Sequence, residues 1–136
     1  VHMKILVIDG QGGRIGRTLV EEIMKAKVPA ELYAVGTNSM ATAAMMKGGA
    51  VNAATGENPV IVNCKDADII TGPIGILSAN SLLGEITPKI ALSVSESKAL
   101  KLLIPMNRCN IWVAGNQDQP LADAIAEILA MIQKSI

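Results

Sequence analysis

The sequence predicts a three-layer α/β domain built around a mostly parallel sheet of about five or six strands. Two observations predict it. Short apolar runs rich in β-branched residues alternate with segments whose apolar residues recur at helical spacing. Nearly every apolar run ends in a glycine or a small polar residue, which is where a chain leaves a strand and turns. Right-handed crossovers then make successive strands parallel.

The first fifty residues have the pattern of a strand–helix–strand–helix unit. Strands are predicted over two continuous apolar runs, residues 4–8 and 31–35, because strands buried on both faces lack polar alternation. The first helix places its apolar residues from Ile15 to Met24 on one face, and Pro29 ends the segment. The second helix covers residues 40–47, with Ser39 as its cap.

The second half of the sequence is harder to assign to strands and helices. Pro59–Asn63 and Asp68–Gly72 both resemble strands, yet the connection between them is too short for a parallel crossover. Either the first is a short edge strand that turns back against the second, or one of them lies outside the sheet. The remaining predictions are a helix over 76–83, a helix from Thr87-Pro88 to about Ser95, an antiparallel strand pair over 102–106 and 111–114, and a helix over 120–134.

Composition excludes several classes of protein. Half of the 136 residues are apolar, which excludes intrinsic disorder. The 12 basic and 12 acidic residues cancel, so no basic excess favours a nucleic-acid partner. The longest uncharged stretch, residues 69–84, is too short to span a membrane. Cys64 and Cys109 lack metal-site or disulfide-scaffold spacing, and we expect a cytoplasmic protein with reduced thiols.

We expect a single domain over residues 3–136, with Val1-His2 as an expression-vector remnant before Met3. His2 is the only histidine, so the domain itself has none for a Ser-His-Asp or Cys-His mechanism or for a His-ligated metal. No catalytic residue is assigned. If the protein is an enzyme, it is expected to be a component of an NAD(P)-dependent oxidoreductase.

The glycine loop Gly10–Gly16 is the most specific feature, because it follows a buried first strand and opens an amphipathic helix. Glycines let the backbone approach a pyrophosphate, and the helix dipole faces the anion. Its glycines fit the spacing G-x-x-G-x-x-G, and we expect Gly13→Asp to abolish cofactor binding and leave the fold intact. The candidate binding residues lie in this loop and at three strand ends: Asp9, Gly10, Gln11, Gly12, Gly13, Arg14, Ile15, Gly16, Gly36, Thr37, Asn38, Gly72 and Pro73.

Two details depart from an ordinary NAD site. The second strand ends in Gly36-Thr37-Asn38, where an acid would bind the ribose hydroxyls. These neutral side chains suit hydrogen bonds to a 2′-phosphate. Asp9 directly precedes the glycine loop, where its charge would repel a pyrophosphate. It could bridge to a ligand through Mg²⁺, act as an acid or base, or cap loop N–H groups without any ligand.

Three functions are therefore carried forward. The first is binding of NADP or NAD at the glycine loop. The second is binding of another phosphorylated ligand, such as a mononucleotide, with Mg²⁺ held by Asp9. The third is an oligomeric interaction module without a small-molecule ligand. The uncharged segments 40–46 and 76–83 predict a homo-oligomer, most simply a dimer, because each lacks the polar face of a surface helix.

Four further polar residues are candidates without an assigned role. Glu57 belongs to a polar stretch that suits either a second ligand loop or a plain turn. Glu85 follows Gly84 and could be a general base or a helix cap. Arg108 could contact an anion or lie in a solvated loop, and Cys109 beside it is expected to be an ordinary thiol.

Two resemblances add to this pattern. The sequence Gly-Gly-Arg-Ile-Gly-Arg-Thr-Leu at residues 12–19 resembles the cofactor loop of dihydrodipicolinate reductases, over about twenty-five residues. Over its whole length the chain resembles a bacterial family known as domain of unknown function 3842. That resemblance implies a Rossmann-like fold and carries no known activity. The stretches that match are residues 7–13, 36–38, 54–58, 72–75, 84–88 and 104–110.

Overall fold

The computed structural model describes residues 3–106, 110–116 and 119–136. Strands and helices alternate along these residues. The strands are β1 (Met3–Asp9), β2 (Ala30–Gly36), β3 (Asn52–Thr55), β4 (Ile69–Pro73) and β5 (Leu100–Ile104). The helices are α1 (Arg14–Lys25), α2 (Ser39–Lys47), α3 (Glu57–Cys64), α4 (Pro88–Glu96) and α5 (Leu121–Lys134), and a short 3₁₀ turn follows β4 at Ile74–Leu77.

The sheet has the order β3-β2-β1-β4-β5, and all of its pairings are parallel. The chain builds outward from β1 to β2 and β3, then returns to the other side of β1 for β4 and β5. The strand order therefore reverses between β1 and β4, which is the place where ligands bind in open α/β sheets.

Helices cover both faces of the sheet. On one face, side chains of α1, α2 and α5 pack against Ile5, Val7 and Ile69. On the other, α3 and α4 pack against Leu6, Ile8 and Ile70. The central strand alternates between two apolar cores, which explains its unbroken apolar sequence. This confirms the predicted Rossmann-like three-layer fold with a mostly parallel sheet.

The prediction of a strand over 59–63 is wrong, because these residues lie in α3. Pro59 occupies the first turn of the helix, where a missing N–H costs no helical hydrogen bond. Val60 and Cys64, four residues apart, turn inward to the core of α3 and α4. The helix is the crossover between β3 and β4, which resolves the short spacing before Asp68–Gly72.

Three other predictions need correction. Residues 76–83 form the end of the 3₁₀ turn and further turns rather than a helix. Residues 111–114 form no strand, so the described sheet has no antiparallel edge pair. The side chain that caps α2 is Asn38, which accepts from the N–H of Ala41. β3 was not anticipated from the sequence.

The other elements agree with the predictions. Thr87 caps α4, and Pro88 is its first residue. α5 turns Ile125, Ile128 and Ile132 toward the sheet. In the described ranges, no helix combines the length and apolar character needed to cross a membrane.

Candidate functional site

A cavity of about 500 Å³ opens at the carboxyl ends of β1, β4 and β5, beside the reversal of strand order. Its volume is in the range of small-molecule sites. The glycine loop and the start of α1 form one wall, and the residues before and in the first turn of α5 form another. The lining residues are Asp9, Gly10, Gln11, Gly12, Gly13, Arg14, Ile15, Pro73, Leu82, Ile104, Pro105, Met106, Asn116, Gln119, Leu121 and Ala124.

The motif glycines are required by packing inside the protein. Gly13 has a φ of +72°, and a Cβ there would lie 2.7 Å from Cα of Ala41 in α2. Gly16 fits between Met45 and the Cβ of Asp9, so that α1 rests closely on β1. The expectation that Gly13→Asp leaves the fold intact is therefore wrong. Gly12 differs, because a Cβ at this exposed position meets no atom within 4 Å.

Asp9 is buried, and its carboxylate closes the loop onto the start of α1. The N–H of Gly10 donates to Oδ1 at 2.8 Å, and the N–H of Gly16 donates to Oδ2 at 2.6 Å. Burial raises the pKa of Asp9, against the lowering effect of these two hydrogen bonds, and the charge of Glu85 adds to the rise. Of the three roles considered for Asp9, this geometry matches the capping of loop N–H groups.

Three backbone N–H groups at this end of α1 have no acceptor in the described part of the chain: those of Gly12, Arg14 and Ile15. The helix has no side-chain cap and no acidic residue in its first turn. The exposed guanidinium of Arg14 makes no ion pair with the described residues. A positive helix end with a free cation is suited to an anion.

The polar side chains after β2 bind the protein's own carboxylate. Glu85 Oε1 accepts from the hydroxyl of Thr37 at 2.6 Å, from Nδ2 of Asn38 at 2.8 Å and from the N–H of Gln11 at 2.8 Å. Burial raises the pKa of Glu85, but the hydrogen bonds from Thr37, Gln11 and Asn38 outweigh it and the net shift is downward. Glu85 is therefore ionised at neutral pH.

The surroundings of Glu57 and Cys64 indicate a role in the fold for each side chain. Glu57 accepts a hydrogen bond from the hydroxyl of Thr87 and so links α3 to the start of α4. Cys64 is a buried free thiol, and burial raises its pKa to about 11. Arg108 and Cys109 lie outside the described residues. In the part of the chain that the structure describes, no three His, Cys, Asp or Glu side chains are grouped as metal ligands would be.

The structure brings eight of the predicted binding residues to the cavity, namely residues 9–15 and Pro73. Gly16, Gly36 and Gly72 lie outside its lining and are sites of close packing. Thr37 and Asn38 also lie outside it, bonded to Glu85. The wall formed by Leu82 and by the residues after β5 was not predicted from the sequence. Asn116, which follows the apolar run at residues 111–114, was the available signal in the sequence.

One protein family, described as a domain of unknown function (DUF3842), matches residues 4–136. A search of the curated proteins finds no match. The family match covers nearly the whole chain, including every strand and helix described above except the first residue of β1. It confirms the resemblance drawn from the six sequence stretches. The chain belongs to the DUF3842 family.

Proposed function

We propose that this protein binds a nucleotide through its phosphate groups at the glycine loop, with NAD and NADP as the first candidates. The observation that carries the proposal is the unpartnered N–H groups of Gly12, Arg14 and Ile15, which belong to residues lining the cavity. Phosphate oxygens are the acceptors that such a helix start binds in other α/β proteins. Arg14 supplies a guanidinium that suits the same oxygens.

The carboxylate of Asp9 does not prevent an anionic ligand from binding at the glycine loop. Both of its oxygens face N–H donors of the loop, and the pKa of its carboxyl is raised by burial. Its charge is therefore turned toward the backbone that it holds in place. The remaining N–H groups of the loop are left for the ligand.

A second candidate is a smaller phosphorylated ligand, such as a mononucleotide. The position of the cavity favours it, because the lining includes the ends of β1, β4 and β5 but no residue of β2. A dinucleotide would have to extend past this cavity toward Thr37 and Asn38, which lie outside its lining. Mg²⁺ would accompany such a ligand through its phosphate oxygens.

The experiment is a thermal-shift screen with NAD, NADH, NADP, NADPH, ATP, GTP and FMN, with and without Mg²⁺, followed by calorimetry. A ligand at one hundred times its Kd stabilises the folded state by about 2.7 kcal/mol. Gly12→Glu is the informative variant, because the position is open and the new carboxylate would face the phosphates. We expect it to weaken binding at least tenfold and to leave the melting temperature of the free protein unchanged.

Gln133→Glu is the matched control, since it adds the same charge at an exposed position near the carboxyl end of α5. It should bind as the unmodified protein does. Equal binding by Gly12→Glu would remove the glycine loop from the ligand site. No shift with any of the nucleotides would contradict both candidates and favour the interaction module.

We also propose that the protein forms a homodimer in the cytoplasm. Support comes from residues 40–46 of α2, which carry no charge and on which Met40 is 68% and Met46 54% exposed. Methionines are common at adaptable interfaces. Light scattering at micromolar concentration should give twice the chain mass of 14.2 kDa, and a monomeric mass would contradict the proposal.

A further inference from the structure

Residues 78–86 cross the carboxyl ends of β1 and β2, and we call them the crossing segment. Leu82 lies over Gly10 at the end of β1, and Glu85 reaches Gln11, Thr37 and Asn38. Ile86 anchors the segment in the core beside α4. The segment therefore places a carboxylate at the end of β2 from a position 47 residues beyond Asn38.

The backbone of the crossing segment is strained. Leu82 and Leu83 have φ values of +54° and +56°, in the left-handed region that disfavours side chains with a Cβ. Leu83 is 96% exposed, so burial of its own side chain does not offset this cost. The strained conformation allows Glu85 to make its hydrogen bonds and Ile86 to be buried. Strain of this kind is concentrated at functional sites.

The two oxygens of Glu85 are used differently. Oε1 accepts all three hydrogen bonds, from Gln11, Thr37 and Asn38. Oε2 has no hydrogen-bond or ion-pair partner among the residues that the structure describes, and it is not a buried unpaired atom. A carboxylate fixed by one oxygen leaves the other free to accept from a ligand hydroxyl.

We propose that Glu85 is the ribose-binding carboxylate of this site, so that the protein takes a nucleotide with free ribose hydroxyls, NAD, and rejects the 2′-phosphate of NADP. The inference rests on the proposed function and names its ligand more closely. In dinucleotide-binding folds an acid at the end of the second strand binds the ribose 2′-hydroxyl. Here β2 ends without an acid, and the crossing segment supplies one at the same edge.

Charge separates the two ligands. A 2′-phosphate at the end of β2 would meet the ionised carboxylate of Glu85. Proteins that accept a 2′-phosphate place an arginine near it. No Lys or Arg in the described part of the chain forms an ion pair with Glu85. The interpretation of Thr37 and Asn38 as phosphate ligands is replaced, because their donors hold Glu85.

The test compares calorimetric affinities for NAD and NADP in the unmodified protein and in Glu85→Gln. Glutamine keeps an oxygen that accepts the same three hydrogen bonds and removes the charge, so this variant separates charge from shape. We expect the unmodified protein to bind NAD at least tenfold more tightly than NADP. Glu85→Gln should reduce that ratio to near one. Glu96→Gln, at an exposed position at the end of α4, is the control and should keep the ratio.

A measurement on the unmodified protein alone covers the case in which Glu85→Gln fails to fold. An NAD analogue that lacks the 2′-hydroxyl of the adenosine ribose should bind several-fold more weakly than NAD, because Oε2 of Glu85 loses its hydrogen-bond donor. Equal affinity for NAD and NADP, a preference for NADP, or tighter binding of both by Glu85→Gln would overturn the inference while leaving the proposed function standing. If neither dinucleotide binds, the dinucleotide assignment fails and the inference fails with it.

Discussion

Asp9 and Glu85 show how two carboxylates are placed beside a loop that is suited to anions. Each is held by hydrogen-bond donors of the protein itself, Asp9 by Gly10 and Gly16 and Glu85 by Gln11, Thr37 and Asn38. The role of Asp9 was among the alternatives that the sequence suggested, because its partners lie within seven residues. The partners of Glu85 lie 47 to 74 residues away, and no local pattern identifies them.

Thr71 supports a prediction about a single residue. Its hydroxyl is fully buried and has no hydrogen-bond partner in the described part of the chain. An unsatisfied buried hydroxyl costs about 1–3 kcal/mol. Thr71→Val keeps the shape and removes the polar atom, so we expect the free energy of unfolding to rise by about 1 kcal/mol. Urea unfolding measures the change.

Thr42→Val is the control for this experiment. The Thr42 hydroxyl pairs with that of Thr55 at 2.7 Å, so its removal leaves a partner without a bond. We expect this variant to lose about 1 kcal/mol. A loss of the same size in Thr71→Val would mean that the Thr71 hydroxyl has a partner, such as a buried water.

At the scale of elements, a polar face made α1 and α5 easy to predict, and the one described helix that was mistaken for a strand, α3, has no such face. α1 and α5 alternate apolar and charged faces, and the sequence predicted them. α3 carries the β-branched run Val60-Ile61-Val62, whose local preference is for a strand, and packing against α4 overrides it. β3 is an edge strand of 4 residues with no apolar run, so it gave no signal.

The cap of α4 supports a prediction at this scale. The Thr87 hydroxyl accepts from the N–H of Ile90 at 3.1 Å and donates to Glu57, so it joins two helices. Thr87→Ala should lower the free energy of unfolding by about 1–2 kcal/mol, and Thr87→Ser should restore most of it. Urea denaturation measures both variants.

Thr18→Ala is the comparison, because the Thr18 hydroxyl bonds only within α1, to the carbonyl of Arg14. Its effect should stay within about 0.5 kcal/mol. If Thr87→Ala were as mild, the link between α3 and α4 would contribute nothing to stability.

At the scale of the whole molecule, the candidate site is a product of topology. The cavity draws on the glycine loop, the end of β4, the crossing segment and the residues after β5, which the strand order brings to one edge. The rule that ligands bind at the carboxyl ends of parallel strands located this edge from the sequence. The sequence did not reveal on which side of β1 the space opens, because that depends on the strand order and on where the crossing segment folds.

The pH dependence of the free energy of unfolding in acid should show how much the ionised Glu85 stabilises the crossing segment. Glu85 has a lowered pKa in the folded protein, so between that pKa and the unfolded value of 4.5 the unfolded state binds more protons. The stability that its ionised form contributes is therefore complete above pH 4.5 and is lost as the pH falls through the folded pKa. Glu85→Gln lacks this contribution at every pH. Urea unfolding from pH 7 to pH 3 should show the unmodified protein as the more stable at neutral pH, with the difference shrinking toward acid.

The pH dependence of stability that Asp9 contributes has the opposite sign to that of Glu85, which gives the experiment an internal check. Its pKa is raised above 3.8 in the folded protein, so the folded state binds more protons just above that value and stability falls as the pH rises through this window. Asp9→Asn should remove that fall in stability with rising pH. It should also lose one of the two hydrogen bonds from Gly10 and Gly16, because an amide has only one acceptor oxygen in place of two. A stability difference between Glu85→Gln and the unmodified protein that stays constant from pH 7 to pH 3 would show that the charge of Glu85 does not hold the crossing segment.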